Sequence, residues 1–317
     1  MKICFALVVL MLMLPGLQAS ERKAHEEDLR DKKLLAIFGR AKMDTPEDQW
    51  AYVHELVGEE RYRKAEKAAA ALVKTWPDHS LAVKAQKARA DLQFVRENYA
   101  SAFELYQELI EGYAGLFDYE QVISQQYECA VKLQEQEFSS FFGLSSYESP
   151  EEAIPLYKQL LENAPHLNIA PEIHQRIIQI YLDKKMYHEA VAQMNLLEQR
   201  YPRNELAEWA AQERGKAFQD LAARYPNDRS PLKSAYDAYQ HFLRHYPNSE
   251  ALPEVRLALR DCYNDLARRK FEQAEYYEKR ARNPRAALVM YRVLVEQFPD
   301  SEWTETAEER ILAITNP

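Results

Sequence analysis

Apolar residues along this chain recur in steps of four and then three, and each run stops at a proline. The prolines close Thr75-Trp76-Pro77, Asn163-Ala164-Pro165, Arg200-Tyr201-Pro202, His245-Tyr246-Pro247 and Gln297-Phe298-Pro299. Twelve positions before them stand Ala65, Ala153, Ala190, Ala235 and Ala287. Eight before stand Ala69, Tyr157, Met194, Tyr239 and Tyr291, and five before stand Leu72, Leu160, Leu197, Phe242 and Leu294. Ala102, Tyr106 and Leu109 keep the spacing without the proline. Such steps put the side chains on one helical face. The small residue lets two helix backbones approach closely, and the bulky ones fill the groove beside it. Proline ends each helix because it has no N–H to donate and biases the residue before it out of the α region. Asp78, Asn204, Asn248-Ser249 and Asp300-Ser301 follow as N-caps for the next helix.

A second helix precedes each of these, most clearly from Pro171 to Leu182, where His174, Ile177, Ile178 and Tyr181 are periodic. The pattern predicts helices at 44–57 and 60–75, 80–96 and 99–112, 118–137 and 150–163. It continues with 170–183 and 186–200, 205–224 and 230–245, and 251–281 and 283–297, with 303–314 capping the open end. No strand pattern competes. Helix, turn, helix, proline at intervals somewhat over ~34 residues is the tetratricopeptide pattern. The expected fold is therefore all-α: a right-handed α-α superhelix of about five to six helix pairs plus a capping helix. The chain divides into 1–19, a signal peptide; 20–43, a charged leader; 44–167, N-terminal helical repeats; and 168–317, C-terminal helical repeats. Phe138 to Ser149 reads as an insertion between paired helices.

Composition narrows the function. Seven glycines in 317 residues are few for a two-domain α/β enzyme with its turns and phosphate loops, and the abundant residues are good helix formers. The net charge is −9 with no long basic run. A nucleic-acid partner is therefore not expected, since phosphate binding needs a concentrated positive surface. Lys2, the apolar run Ile3–Leu14, the break at Pro15-Gly16 and Leu17-Gln18-Ala19 read as a secretory signal with cleavage near Ser20. The alternative is an uncleaved anchor, though the run is shorter than the roughly 17–25 residues that span a bilayer. Cys4 would leave with the signal, and Cys129 and Cys262 stand far apart, either free and buried or bridged. No nucleophile elbow, phosphate loop or dinucleotide fingerprint appears, so neither catalysis nor a cofactor is expected. His241 and His245 stand four apart on one helix, a metal-capable spacing, but Phe242, Leu243 and Arg244 between them supply no further ligand.

Family-specific residues concentrate between Ser230 and Ile314: Tyr239–Ser249, Leu266–Arg280, Ala286-Ala287, Tyr291–Leu294 and Phe298–Ser301. Tyr276-Tyr277 followed by Lys279-Arg280, then a helix ending in Phe298-Pro299-Asp300-Ser301, resembles the BamD/ComL family of outer-membrane protein assembly factors. Phe141-Phe142-Gly143 before Ser149-Pro150 is similar to that family's mid-chain segment. Three features depart from the family. No cysteine follows the signal at Gln18-Ala19-Ser20, the hairpin after Tyr277 carries one residue more at Asn283-Pro284, and Met290 stands where the family commonly has Arg, with Arg292 two places on. The resemblance implies a periplasmic scaffold, peripheral to the outer membrane. Its implied partners are a BamA-like barrel-assembly subunit and unfolded outer-membrane proteins. The competing reading is a general periplasmic repeat adaptor for cell-wall synthesis or division.

Two surfaces are candidates for those partners. The first helix of each pair should present Trp50, His54 and Val57 in one repeat and Lys84, Lys87, Asp91 and Phe94 in the next. There the lysines would neutralise the carboxylate of a peptide whose terminal aromatic ring lies on Trp50 or Phe94. The plainer reading is a solvated basic face above core aromatics. Arg280, Arg285 and Arg292 are candidates for docking an acidic partner by forked hydrogen bonds. Alternatively they pair with Glu278 and Glu296 on the helix surface.

Overall fold

The computed structural model describes residues 39–140 and 152–316. The expected signal peptide, most of the leader, and residues 141–149 of the insertion read at Phe138–Ser149 lie outside the described residues, whereas 138–140 continue the preceding helix. Among those described there are thirteen α-helices and no strand. The chain forms two compact units that meet in sequence between Ala164 and Pro165. The first holds the pairs α1 (Pro46–Gly58) and α2 (Tyr62–Thr75), α3 (Ser80–Val95) and α4 (Tyr99–Gly112), and α5 (Tyr119–Ser140) and α6 (Ala153–Asn163). The second holds α7 (Ala170–Asp183) and α8 (Tyr187–Arg200), α9 (Glu205–Arg224) and α10 (Ser230–His245), and α11 (Leu252–Glu275) and α12 (Pro284–Gln297), followed by the single helix α13 (Thr304–Thr315). This is the tetratricopeptide type of stacked helix pair in each unit.

The six alanines of the repeat, Ala65, Ala102, Ala153, Ala190, Ala235 and Ala287, are each 0% exposed. The bulky residues that follow them are buried alongside. In the first unit Ala65, Ala69 and Leu72 pack with Val53, Leu56, Ala82 and Ala85 from the neighbouring helices. In the second, Ala235, Tyr239 and Phe242 pack with Ala211, Val255 and Cys262. No helix buries its apolar stripe alone, so each pair depends on the next for its core.

Helix ends follow local chemistry, but of the expected N-caps only Asn204 is the N-cap residue: α11 opens behind Ala251 and α13 behind Trp303, neither with a side-chain cap bond. Pro46 opens α1 behind Thr45, whose Oγ1 accepts from the Asp48 N–H at 3.1 Å, and Asn204 caps α9 through the Leu206 N–H at 2.9 Å. Before α3 the cap is His79 rather than Asp78: its Nδ1 accepts from the Leu81 N–H at 3.3 Å. The tight turns within the first, second and fourth pairs pass through Glu60, Glu97 and Lys185 at φ of 57°, 61° and 57°. Glycine would be unstrained there. The chain instead closes each turn by a six-residue bond, such as Arg61 N–H to Leu56 C=O at 2.9 Å and Met186 N–H to Tyr181 C=O at 2.8 Å. That is how so helical a protein manages with seven glycines.

Two polar ladders also run through the stacks. The repeat tyrosines donate from the core to the other helix of their own pair: Tyr106 to Asp91 at 2.6 Å, Tyr157 to Gln134 at 2.7 Å, Tyr239 to Gln219 at 2.6 Å and Tyr291 to Glu278 at 2.9 Å. The tyrosine that follows the second helix of a pair reaches back to the preceding proline, since Tyr113 donates to the Pro77 carbonyl at 3.5 Å and Tyr201 to that of Pro165 at 2.7 Å. Buried Gln49 clips three segments together. Its Nε2 donates to the Ala68 carbonyl at 2.9 Å, and its Oε1 accepts from the N–H groups of Lys42 and Met43 at 3.1 and 3.2 Å. The end of the charged leader is thereby held on α1 and α2.

Candidate functional site

In the first unit, α1 and α3 carry the groove candidates. Trp50 is half-buried against the core that holds Val53 and Ala82, and its ring meets His54 edge-on at 4.6 Å. His54 and Val57 are exposed. Phe94 turns to Tyr99, edge-on at 5.1 Å, so the two aromatic candidates sit in separate ring pairs. The lysines differ in kind. Lys87 Nζ lies 3.1 and 3.0 Å from the two oxygens of Asp91, which also accepts from Tyr106, so its charge is matched within the helix. Lys84 is exposed and has no ion pair among the described residues.

The second candidate surface surrounds the turn from α11 to α12. After Glu275 the helix widens into a π turn, Tyr276–Arg280, in which the Ala281 N–H reaches five residues back to the Tyr276 carbonyl at 2.9 Å. Such a turn holds one residue more than an α turn, which is how the extra residue of this hairpin fits. Arg282 then takes φ 50°, and Asn283 caps α12 by accepting from the Ala286 N–H at 3.1 Å. The widening leaves Tyr276 58% exposed. Arg280, Arg285 and Arg292 are all exposed, and none has an ion pair among the described residues.

Glu278 does not pair with them. It accepts from Tyr291 and from Arg310 of α13, which grips it through both Nε and Nη2. Burial works against that carboxylate's charge, yet Arg310 and Tyr291 hold its pKa below the ordinary value. The three guanidiniums are left facing solvent, their forks open to a partner's carboxylates. Met290 is half-buried against the last core cluster, and the outward cations of α12 are Arg285 and Arg292.

His241 and His245 stack at 3.9 Å, with each Nδ1 engaged inside the protein, and no group of three metal-capable residues occurs among the described residues. Cys129 and Cys262 are free and buried, and burial pushes their thiols up to about 12 and about 11. No described helix is long and apolar enough to cross a membrane.

Residues 143–307, just over half of the chain, match the family described as YfiO, outer membrane lipoprotein. The chain belongs to that family. The matched span takes in α6 through α12 and the first turn of α13, hence the π turn and all three unpaired arginines. The groove candidates on α1 and α3 precede it. No curated protein matches the chain. Among solved structures it is similar to a tetratricopeptide repeat protein from Parabacteroides merdae ATCC 43184, at 14% identity over 86% of this chain and 100% of that one, TM-score 0.32. It is also similar to YrrB, described as a tetratricopeptide protein with an unusual peptide-binding site, at 14% identity over 66% and 90%, TM-score 0.31. A third is BtubC from P. vanneervenii, at 13% identity over 87% and 94%, TM-score 0.32. None of these three likenesses carries functional weight. As a YfiO-family protein built of tetratricopeptide-type helix pairs, the chain is a protein-interaction scaffold of the outer-membrane lipoprotein class.

Proposed function

We propose that this chain works at the periplasmic face of the outer membrane as a scaffold in β-barrel protein assembly. It holds a BamA-like subunit through Arg280, Arg285 and Arg292 and receives unfolded outer-membrane proteins along Trp50, His54, Lys84, Lys87, Asp91 and Phe94. The observation that supports this most is three exposed guanidiniums without internal partners, around a turn inside the family's matched residues. Unmatched arginines on a helical surface favour an acidic partner, because forked bonds to carboxylates form there without first breaking an ion pair.

The test is recovery of partners from the native envelope. Arg280→Glu with Arg285→Glu should lower the co-purified barrel-assembly subunit at least tenfold, about 1.4 kcal/mol or more, with helix content unchanged. Unchanged recovery removes the docking face. Recovery of peptidoglycan enzymes alone, with no barrel-assembly subunit, replaces the scaffold by the cell-wall adaptor. The groove has its own test. Lys84→Glu should weaken a peptide ending in an aromatic residue and a free carboxylate, since Lys84 is the unmatched cation of the pair. Equal affinity in fluorescence anisotropy would refute that placement.

A further inference from the structure

Three helices of the second unit close around one nearly buried guanidinium. Arg214 of α9 is 9% exposed and lies between α8 and α10. On the α8 side its Nη1 donates to Asn195 Oδ1 at 2.7 Å and to Glu198 Oε2 at 2.6 Å. On the α10 side its Nη2 lies 2.9 Å from His241 Nδ1. A guanidinium only donates, so that nitrogen must carry a lone pair, and His241 is neutral with its proton on Nε2. His245 stacks on the same ring at 3.9 Å and donates its own Nδ1–H to the His241 carbonyl at 2.9 Å. The charged and titratable groups facing His241 are Glu198 from α8, Arg214 from α9, and Arg244 and His245 from its own helix. Tyr246, the residue that follows α10, donates to Glu198 Oε1 at 3.3 Å.

A proton on His241 Nδ1 would set N–H against N–H of a cation at hydrogen-bond distance, beside a second imidazole. The one acceptor in reach is Glu198 Oε1, 3.5 Å away, on the carboxylate that Arg214 already uses. Imidazolium and guanidinium then compete for one anion, with Arg214 and Glu198 largely shielded from water and His241 about 31% exposed. We propose that this cluster is an acid-released pin: protonation of His241 drives Arg214 out from between α8 and α10 and loosens the α8–α9–α10 stack. Burial, Arg214, His245 and Arg244 all hold His241 below its ordinary value against the opposing pull of Glu198. The unfolded chain therefore takes up the proton first. The pin is whole above the ordinary imidazole value and is lost as pH falls toward the lowered one.

Hydrogen exchange of the full chain, corrected for intrinsic rates, reads this locally at pH 7.5, 6.5 and 5.5. Wild-type peptides from α8, α9 and α10 should lose protection with acid while α3 and α4 keep theirs. His241→Gln should lose clearly less protection than the wild type, because a glutamine carbonyl accepts from Arg214 without titrating, and what it still loses is the share His174 carries. Constant wild-type protection in α8–α10 overturns the proposal, as does an equal loss in His241→Gln. His174→Gln leaves the cluster intact and must still show the loss; its disappearance there would assign the effect to His174 and overturn the pin without reliance on the first variant.

Discussion

Gly215→Ala is expected to destabilise the second unit by roughly 2 kcal/mol or more, although alanine is the better helix former. Gly215 lies buried in α9, and a Cβ built there falls 2.2, 2.5 and 2.6 Å from Cε1, Cζ and Cδ1 of Tyr239. Real carbons do not approach so closely, so ring or helix must shift. The ring is poorly placed to yield: Tyr239 is 1% exposed, and its hydroxyl is tied to Gln219 at 2.6 Å. Replacing glycine in a helix gains about 1 kcal/mol in backbone entropy and propensity, while overpacking a filled core costs about 1–3 kcal/mol and sometimes more. Here the clash is with the face of a pinned aromatic ring rather than a flexible tip, so the cost wins. Urea denaturation should show a lower midpoint at unchanged slope. The penalty should shrink or reverse in a Tyr239→Ala background, where the space is open. A neutral or stabilising Gly215→Ala in the wild-type background means the ring does not lie on that helix.

The repeat was legible because its signal is redundant. Ala190, Met194 and Leu197 mean little alone, but six copies in register leave one way to bury six small residues, and all six are buried. Helix ends were legible to within a few residues where proline or asparagine marks them. What escaped has no local signal. Gly215 reads as a flaw in a helical run until Tyr239 is placed on it. Arg214 reads as one more surface cation until α8 and α10 close around it. The π turn depends on a three-atom difference in hydrogen-bond ring size that no side chain announces. At the candidate site, Arg280, Arg285 and Arg292 stood out as forked donors near the C-terminal hairpin. That Glu278 is unavailable to them follows from Arg310, 32 residues away on another helix. Periodicity names the face a residue occupies, but not the partner that folding brings to it.

Acid should weaken the second unit through His174 as well, by a different route and over a stated range. His174 is 1% exposed, in the α7 position where α1 and α3 carry Gln49 and Gln86. Its Nδ1 lies 2.6 Å from Gln193 Nε2, which donates, so the ring proton sits on Nε2, and that atom has no hydrogen-bond partner among the described residues. A charge added here gains no acceptor. Burial, with Arg200 adding to it, lowers the imidazole to about 4. The unfolded chain, near 6.5, protonates first. Stability is therefore complete above about 6.5, falls as the pH drops, and levels off near 4, for a loss on the order of 3 kcal/mol. His174→Gln substitutes the side chain that α1 and α3 already use and removes the titration. Carboxylates such as Glu278 titrate alike in both proteins, so the difference between their stability–pH curves isolates the imidazole. That difference should open across this range in favour of His174→Gln, and parallel curves would mean that the ring finds a partner for its second nitrogen.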